Sequence, residues 1–184
     1  MHASVADTIR NRRTVHEFLP GPPVPEEIIT AAIAHAVWAP NHRLSQPWRF
    51  YLMGPESVAA ICRLNSELVR AKQGDKAAEI KLQRWRAVPG WLLLTCVQDA
   101  DEVRRWEDYA ACCCAAQNLM LYLWDRGVGV KWNTGGVSRD LRFYEIAHIN
   151  PAAERVVGIF WYGTPAEVPT AARRPPGEIL TRLP

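Results

Sequence analysis

The 184-residue chain has no basic run or stripe, and its 22 Lys and Arg are nearly balanced by 19 Asp and Glu, for a net charge of +3. That excludes the electrostatic footprint of a nucleic-acid binder and leaves room for an anionic small ligand. No G-x-G-x-x-G or Walker pattern occurs, so neither a Rossmann nor a P-loop nucleotide site is indicated. The longest apolar stretch, Tyr109 to Trp124, is broken by Gln117 and Asn118 and falls short of the roughly 18 residues that span a bilayer. The opening segment carries Arg10, Arg12 and Arg13 without the apolar core of a signal peptide. The five cysteines are Cys62, Cys96, Cys112, Cys113 and Cys114, with no pair at zinc-site spacing. On a helix, the three adjacent ones point about 100° apart and cannot clamp one ion. An odd set of this kind reads as reduced thiols in a cytoplasmic protein. There is no Ser/His/Asp or Cys/His constellation, and His2, His16, His35 and His148 lack ligand spacing. No side-chain nucleophile, catalytic residue or metal ligand is therefore assigned.

What is present fits a single globular domain, residues 1–184, with 48% hydrophobic residues. Eight tryptophans are many for this length and suit either core filling or the lining of a flat pocket. Val5 and Ile9 mark a helix over 4–13. Pro25 suits the first position of a second helix, with Ile28, Ala32, Ile33 and Ala36 on one face and Pro40 as its stop. Trp48 to Met53 reads as extended, 55–71 and 75–86 as helices, and Trp91 to Val97 as a strand buried on both faces. Residues 102–126 form the longest helix, whose apolar second half needs a core or a second subunit to cover it. Val130–Trp132 and Val156–Tyr162 are strands, Ser138 is a candidate cap for a helix to about Ala147, and 163–184 is loop-like. This mixed order implies an α+β fold with a central sheet flanked by helices.

Three segments carry groups suited to a ligand. Arg12-Arg13-Thr14 offers two guanidinium forks and a hydroxyl, either for a phosphate or as a solvated basic helix end. Ala39 to Trp48 contains Asn41, His42, Arg43, Ser45 and Gln46, a polar turn with donors and acceptors for a heteroaromatic ring. Gly127 to Gly136 is glycine-rich around Lys131, Trp132, Asn133 and Thr134, so its backbone can approach a ligand closely.

Together these resemble the nitroreductase superfamily, and the likeness covers essentially the whole chain. Arg12-Arg13-Thr14-Val15-His16-Glu17-Phe18 is similar to the family's opening, and Ala39-Pro40 with Gln46-Pro47-Trp48 to its A-P-S/D-x-x-x-x-Q-P-W segment. Ala115 to Leu121 leading to Gly127-Val128-Gly129 resembles its central helix and glycine turn, and Val157 to Phe160 with Gly163-Thr164-Pro165 its closing strand. The short length, with Arg105-Trp106-Glu107 before that helix, is most like the minimal members.

The resemblance implies a nitroreductase-like fold with a mixed, mainly antiparallel sheet, and a homodimer binding FMN at the subunit interface. Arg12, Arg13 and Thr14 would hold the phosphate, ribityl chain and ring edge, and Trp132, Asn133 and Thr134 would line the flavin. Trp38, His42 and Gln46 would come from the other subunit. Tyr122 to Gly127 would accept NADH or NADPH, and Arg173 and Arg174 resemble a C-terminal basic pair that reaches the phosphate. His16 stands where many members carry a lysine or arginine, which affects flavin tuning. The implied activity is hydride transfer from NAD(P)H to nitroaromatic, quinone-like or related acceptors, with no nucleic-acid or membrane partner. The alternatives are a flavin carrier or sensor, or another flavin chemistry such as dehydrogenation or dehalogenation.

Overall fold

The unbroken apolar run Gly90–Val97 forms the central strand β2 in a computed structural model that describes residues 4–184 (His2 lies outside them). The other strands are β1 (Trp48–Leu52), β3 (Gly129–Asn133) and β4 (Glu154–Gly163). They stand in the order β1-β2-β4-β3, every pair antiparallel. A parallel bridge from Thr14 to Val130 makes the sheet mixed, as the resemblance implied.

The helices are α1 (Val5–Asn11), α2 (Glu26–Ala36), α3 (Pro55–Gln73), α4 (Asp75–Arg86), α5 (Glu102–Asp125) and α6 (Leu141–Ile146). They divide between the faces of the sheet because β2 alternates. Leu92, Leu94 and Cys96 share a core with Ala32 and Ala36 of α2 and Cys112, Ala116 and Leu119 of α5. Trp91 and Leu93 pack with Ile61 of α3, Trp85 of α4 and Phe143 of α6. Strand period two thus feeds two separate cores from one strand. Among the described residues no helix is long and apolar enough to cross a membrane.

Of the two purposes expected of tryptophan, core filling is seen at four positions. Trp48, Trp85, Trp91 and Trp161 are buried, the last three with ring centroids 5.0 to 5.6 Å apart, whereas Trp38 and Trp106 are exposed. Two local expectations are corrected. The second helix starts at Glu26 with Pro25 as its cap, and ends at Ala36 rather than running to Pro40. Its buried residues are Ile29, Ala32 and Ala36, so the inward face is turned slightly from the one expected. Asp140, not Ser138, caps the helix that follows β3. Its carboxylate accepts the Arg142 backbone N–H at 3.0 Å, while the Ser138 hydroxyl donates to the Gly135 carbonyl and closes a separate 3₁₀ turn. A carboxylate complements the helix dipole better than a neutral hydroxyl, and only Asp140 directly precedes the first helical residue.

The three adjacent cysteines do point apart: Cys112 is buried, Cys113 half-buried and Cys114 exposed. Burial pushes the Cys62 thiol up to about 11. Iodoacetamide on the folded protein at pH 8 should therefore alkylate Cys114 first and leave Cys62 unmodified until denaturant is added, because the thiolate is the reactive form. Peptide mass spectrometry showing equal labelling of Cys62 and Cys114 would contradict this burial.

Candidate functional site

Helix α1 ends where Arg12 turns to extended geometry, its N–H still donating to Thr8. The chain then lies along β3: Val15 is fully buried and its N–H donates to the Val130 carbonyl at 3.1 Å. Arg12, Arg13 and Thr14 are thereby fixed beside the outer edge of β3, a strand whose only strand partner is β4. Arg13 folds back, its Nη1 donating to the Arg10 and Arg12 carbonyls at 2.6 and 2.9 Å. This uses one guanidinium nitrogen to cap α1 and leaves the rest of the fork. Arg12 is half-buried, and its guanidinium is pulled below its ordinary value, first by burial and then by the positive charges of Arg13 and Arg173. Arg173 of the C-terminal tail therefore joins the cluster. Arg174 is exposed in the same tail and does not contribute to that effect. None of the ion pairs among the described residues involves any of these four arginines. Among the described residues these like charges have no ion-pair partner, an arrangement suited to an anionic ligand.

Further along β3, Trp132 is half-buried with its ring 5.3 Å from Phe160, and its indole N–H donates to the Val157 carbonyl at 3.1 Å. It offers a ligand a flat apolar surface and no free donor. Asn133 Oδ1 accepts from the Gly135 N–H at 3.2 Å, which leaves its amide nitrogen as the polar end, and Thr134 is exposed. Arg12, Arg13, Thr14, Arg173, Trp132, Asn133 and Thr134 thus gather along one edge of the sheet.

The second group lies elsewhere. Trp38, His42 and Gln46 occupy the connection between α2 and β1, where Trp38 is 86% exposed and His42 is 3.9 Å from Glu107. Strands β1 and β3 are opposite edges of the sheet, three interstrand spacings or about 14 Å apart. The connection is unusual in that Arg43, Leu44 and Gln46 all have positive φ, at 51°, 55° and 45°. Such residues cost about 1–3 kcal/mol each unless their surroundings hold them. Here Asn41 Oδ1 accepts the Gln46 N–H at 2.9 Å, and the Ser45 hydroxyl donates to Asp108 at 2.5 Å. Asn41 and Ser45 were expected as ligand donors and acceptors and here also hold the turn itself, whereas Asp108 was not among the residues expected from sequence. The available signal was that Asp108 falls on the buried stripe of α5 with Ala111, Cys112, Ala115 and Leu119.

Tyr122 and Gly127 lie towards the far end of α5, and each has a structural task. Tyr122 stacks on His35 of α2 at 4.3 Å, with the Arg126 guanidinium 5.1 Å from its ring. His35 Nδ1–H donates to the Ala31 carbonyl at 2.7 Å. Gly127 has φ 75°, while its N–H and that of Val128 donate to the Trp124 and Leu123 carbonyls. This is a Schellman closure, which wants glycine at that position. Gly127→Ala should cost about 1 kcal/mol in urea unfolding, because alanine pays for the left-handed backbone. An unchanged midpoint would show that the closure carries no stability.

A protein-family model described as the nitroreductase family matches residues 9–164. YfhC of Bacillus subtilis strain 168, provisionally named an NAD(P)H nitroreductase, is 32% identical over 95% of this chain and 91% of its own. The crystal structure of a nitroreductase-like family protein from Bacillus cereus superposes with a TM-score of 0.87 at 31% identity, covering 100% of this chain and 97% of the other. A provisionally named nitroreductase from Desulfovibrio desulfuricans, crystallised with FMN, shares the fold with a TM-score of 0.77 at 21% identity, over 100% and 99% of the two chains.

Proposed function

The chain belongs to the nitroreductase family, and on that premise we propose that it is an FMN-dependent NAD(P)H oxidoreductase, acting as a cytoplasmic homodimer on nitroaromatic, quinone-like or related small acceptors. The observation that carries this reading is the cluster of Arg12, Arg13 and Arg173 beside β3, with no ion-pair partner among the described residues. Its donor set fits FMN: guanidinium forks for a phosphate, and next to them a flat indole and an amide for a ring with several carbonyls and nitrogens.

Arg12, Arg13 and Arg173 would bind the phosphate, and Thr14 the ribityl chain. Trp132 would lie against the ring system, with Asn133 and Thr134 along its edge. Bound FMN supplies the hydride-accepting centre and returns electrons to the acceptor, so the protein needs no nucleophile of its own. Backbone N–H groups of the glycine-flanked segment would favour negative charge developing on the ring, as preorganised donors do elsewhere. The Tyr122–Gly127 segment would receive the nicotinamide nucleotide, with the Tyr122 stack and the Gly127 turn giving it a fixed surface.

Two features support a second copy completing the site. Trp38, His42 and Gln46 sit in the connection leading into the opposite sheet edge from Arg12 and Trp132, which favours their meeting one ring from two different chains. Trp38, Leu44, Val103 and Trp106 are exposed, and Gln117, Leu121 and Trp124 on the second half of α5 are only half covered. An isologous pair would bury such surface.

The test is an anaerobic titration of the purified protein, followed by its visible spectrum. Bound FMN should bleach on addition of NADH or NADPH and recover with a nitroaromatic or quinone. A yellow protein that neither nucleotide bleaches would instead be a flavin carrier.

A further inference from the structure

We infer that Asp108 is a positioning residue for cofactor binding, acting through Ser45 to hold the connection 41–46 in the form that presents His42 and Gln46 to the flavin of a second copy. The inference rests on the flavin reading above. Asp108 is 8% exposed and lies on the stripe of α5 that otherwise packs as alanine, cysteine and leucine against the sheet. Among the described residues no ion pair includes it, so its buried carboxylate is offset by no cation. An apolar side chain at this point of the stripe would pack without that desolvation cost, so stability alone does not call for a carboxylate here.

What the carboxylate holds is a hydroxyl 63 positions away in sequence: Ser45 Oγ donates to its Oδ1 at 2.5 Å. Ser45 stands between Leu44 and Gln46, both in the left-handed region, and itself has ordinary right-handed backbone angles. The alternation makes the segment a tight, sprung turn. Its ends are pinned by Asn41 on Gln46, and its middle by Ser45 on Asp108. Glu107, the neighbour of Asp108 on α5, approaches His42 at 3.9 Å. One turn of α5 therefore meets the connection twice, by a hydrogen bond at Ser45 and by a 3.9 Å approach at His42. Without the Ser45 tether, three non-glycine residues would relax towards negative φ and carry Gln46 with them.

Asp108→Ala, Ser45→Ala and Asp108→Asn would each be prepared in the full chain, with FMN affinity read from quenching of FMN fluorescence. Thermal melts of the FMN-free proteins would be recorded alongside. The two alanine variants should bind FMN about 10-fold or more weakly, the size of one hydrogen bond to a charged group. Asp108→Asn keeps an acceptor oxygen for Ser45 and should stay close to wild type. Should Asp108→Ala fail to fold, Ser45→Ala decides, because it removes only a hydroxyl from the connection. Wild-type affinity in a folded alanine variant overturns the inference, and so does Asp108→Asn behaving as badly as Asp108→Ala. If the wild-type protein itself binds no FMN, the flavin reading falls first.

Discussion

Arg12→Ala combined with Arg13→Ala should leave a protein that purifies colourless and takes up added FMN only at concentrations far above those that saturate the wild type. Each arginine is expected to make charge-assisted hydrogen bonds to the phosphate, worth roughly 1.5–3 kcal/mol apiece, so the pair should weaken binding by about 10²–10⁴-fold. The same change removes a guanidinium that is lowered first by burial and then by its like-charged neighbours. The apoprotein therefore gains back part of what it loses when Arg13 no longer caps α1. Affinity and stability should then separate, with a large loss in FMN binding and a small shift in melting temperature. Arg173→Ala should give a smaller version of the same loss, because Arg173 comes from the exposed tail. Fluorescence titrations at two salt concentrations would add a second signature. A phosphate held by clustered charge binds more weakly at high ionic strength, and the double variant, with only Arg173 left in the cluster, should show less of that dependence.

The second large effect is expected from one methyl group. A Cβ at Gly158 would lie 2.0 Å from Trp132 Nε1 and 2.4 Å from its Cδ1. Those atoms belong to a rigid ring whose N–H is bonded to the neighbouring Val157 carbonyl. Gly158→Ala must push the indole off the sheet, breaking that hydrogen bond and its packing on Phe160. Overpacking and the lost bond together should cost about 2–4 kcal/mol in urea unfolding. The surface of Trp132 proposed to lie against the flavin would go with them, so FMN affinity should fall as well. Trp132→Phe makes a useful control: it loses the hydrogen bond without the clash, should cost about 1 kcal/mol, and keeps a flat ring. Wild-type stability in Gly158→Ala would mean that the indole does not lie where the structure puts it.

The elements that were legible in the sequence are those with strong local signals. Strand β2 announced itself as an apolar run after Pro89, and α3 and α4 were divided at Gly74, whose φ of 82° ends the first helix. The grouping of Arg12, Arg13 and Thr14 with Trp132 to Thr134 followed from resemblance; the parallel bridge from Thr14 to Val130 sets Thr14 beside the strand that carries Trp132 and Asn133. What stayed hidden depended on partners distant in the chain or on backbone angles the residue types do not advertise. Arg43, Leu44 and Gln46 carry no glycine or asparagine signal for a left-handed turn; Ser45 and Asp108, 63 residues apart, hold it. The spent indole donor of Trp132 could not be seen because its acceptor lies 25 residues away on β4. Nor does periodicity tell Asp140 from Ser138 as a cap, since both precede the same apolar residues.

The central claim is that two copies enclose one flavin between the arginine edge of one chain and the Trp38–Gln46 connection of the other. Size-exclusion chromatography with light scattering, recording visible absorbance on the same eluate, tests it most directly. The expected result is a yellow species at twice the single-chain mass of 20.8 kDa. A yellow species at the single-chain mass, or a dimer that stays colourless after incubation with FMN, would contradict it.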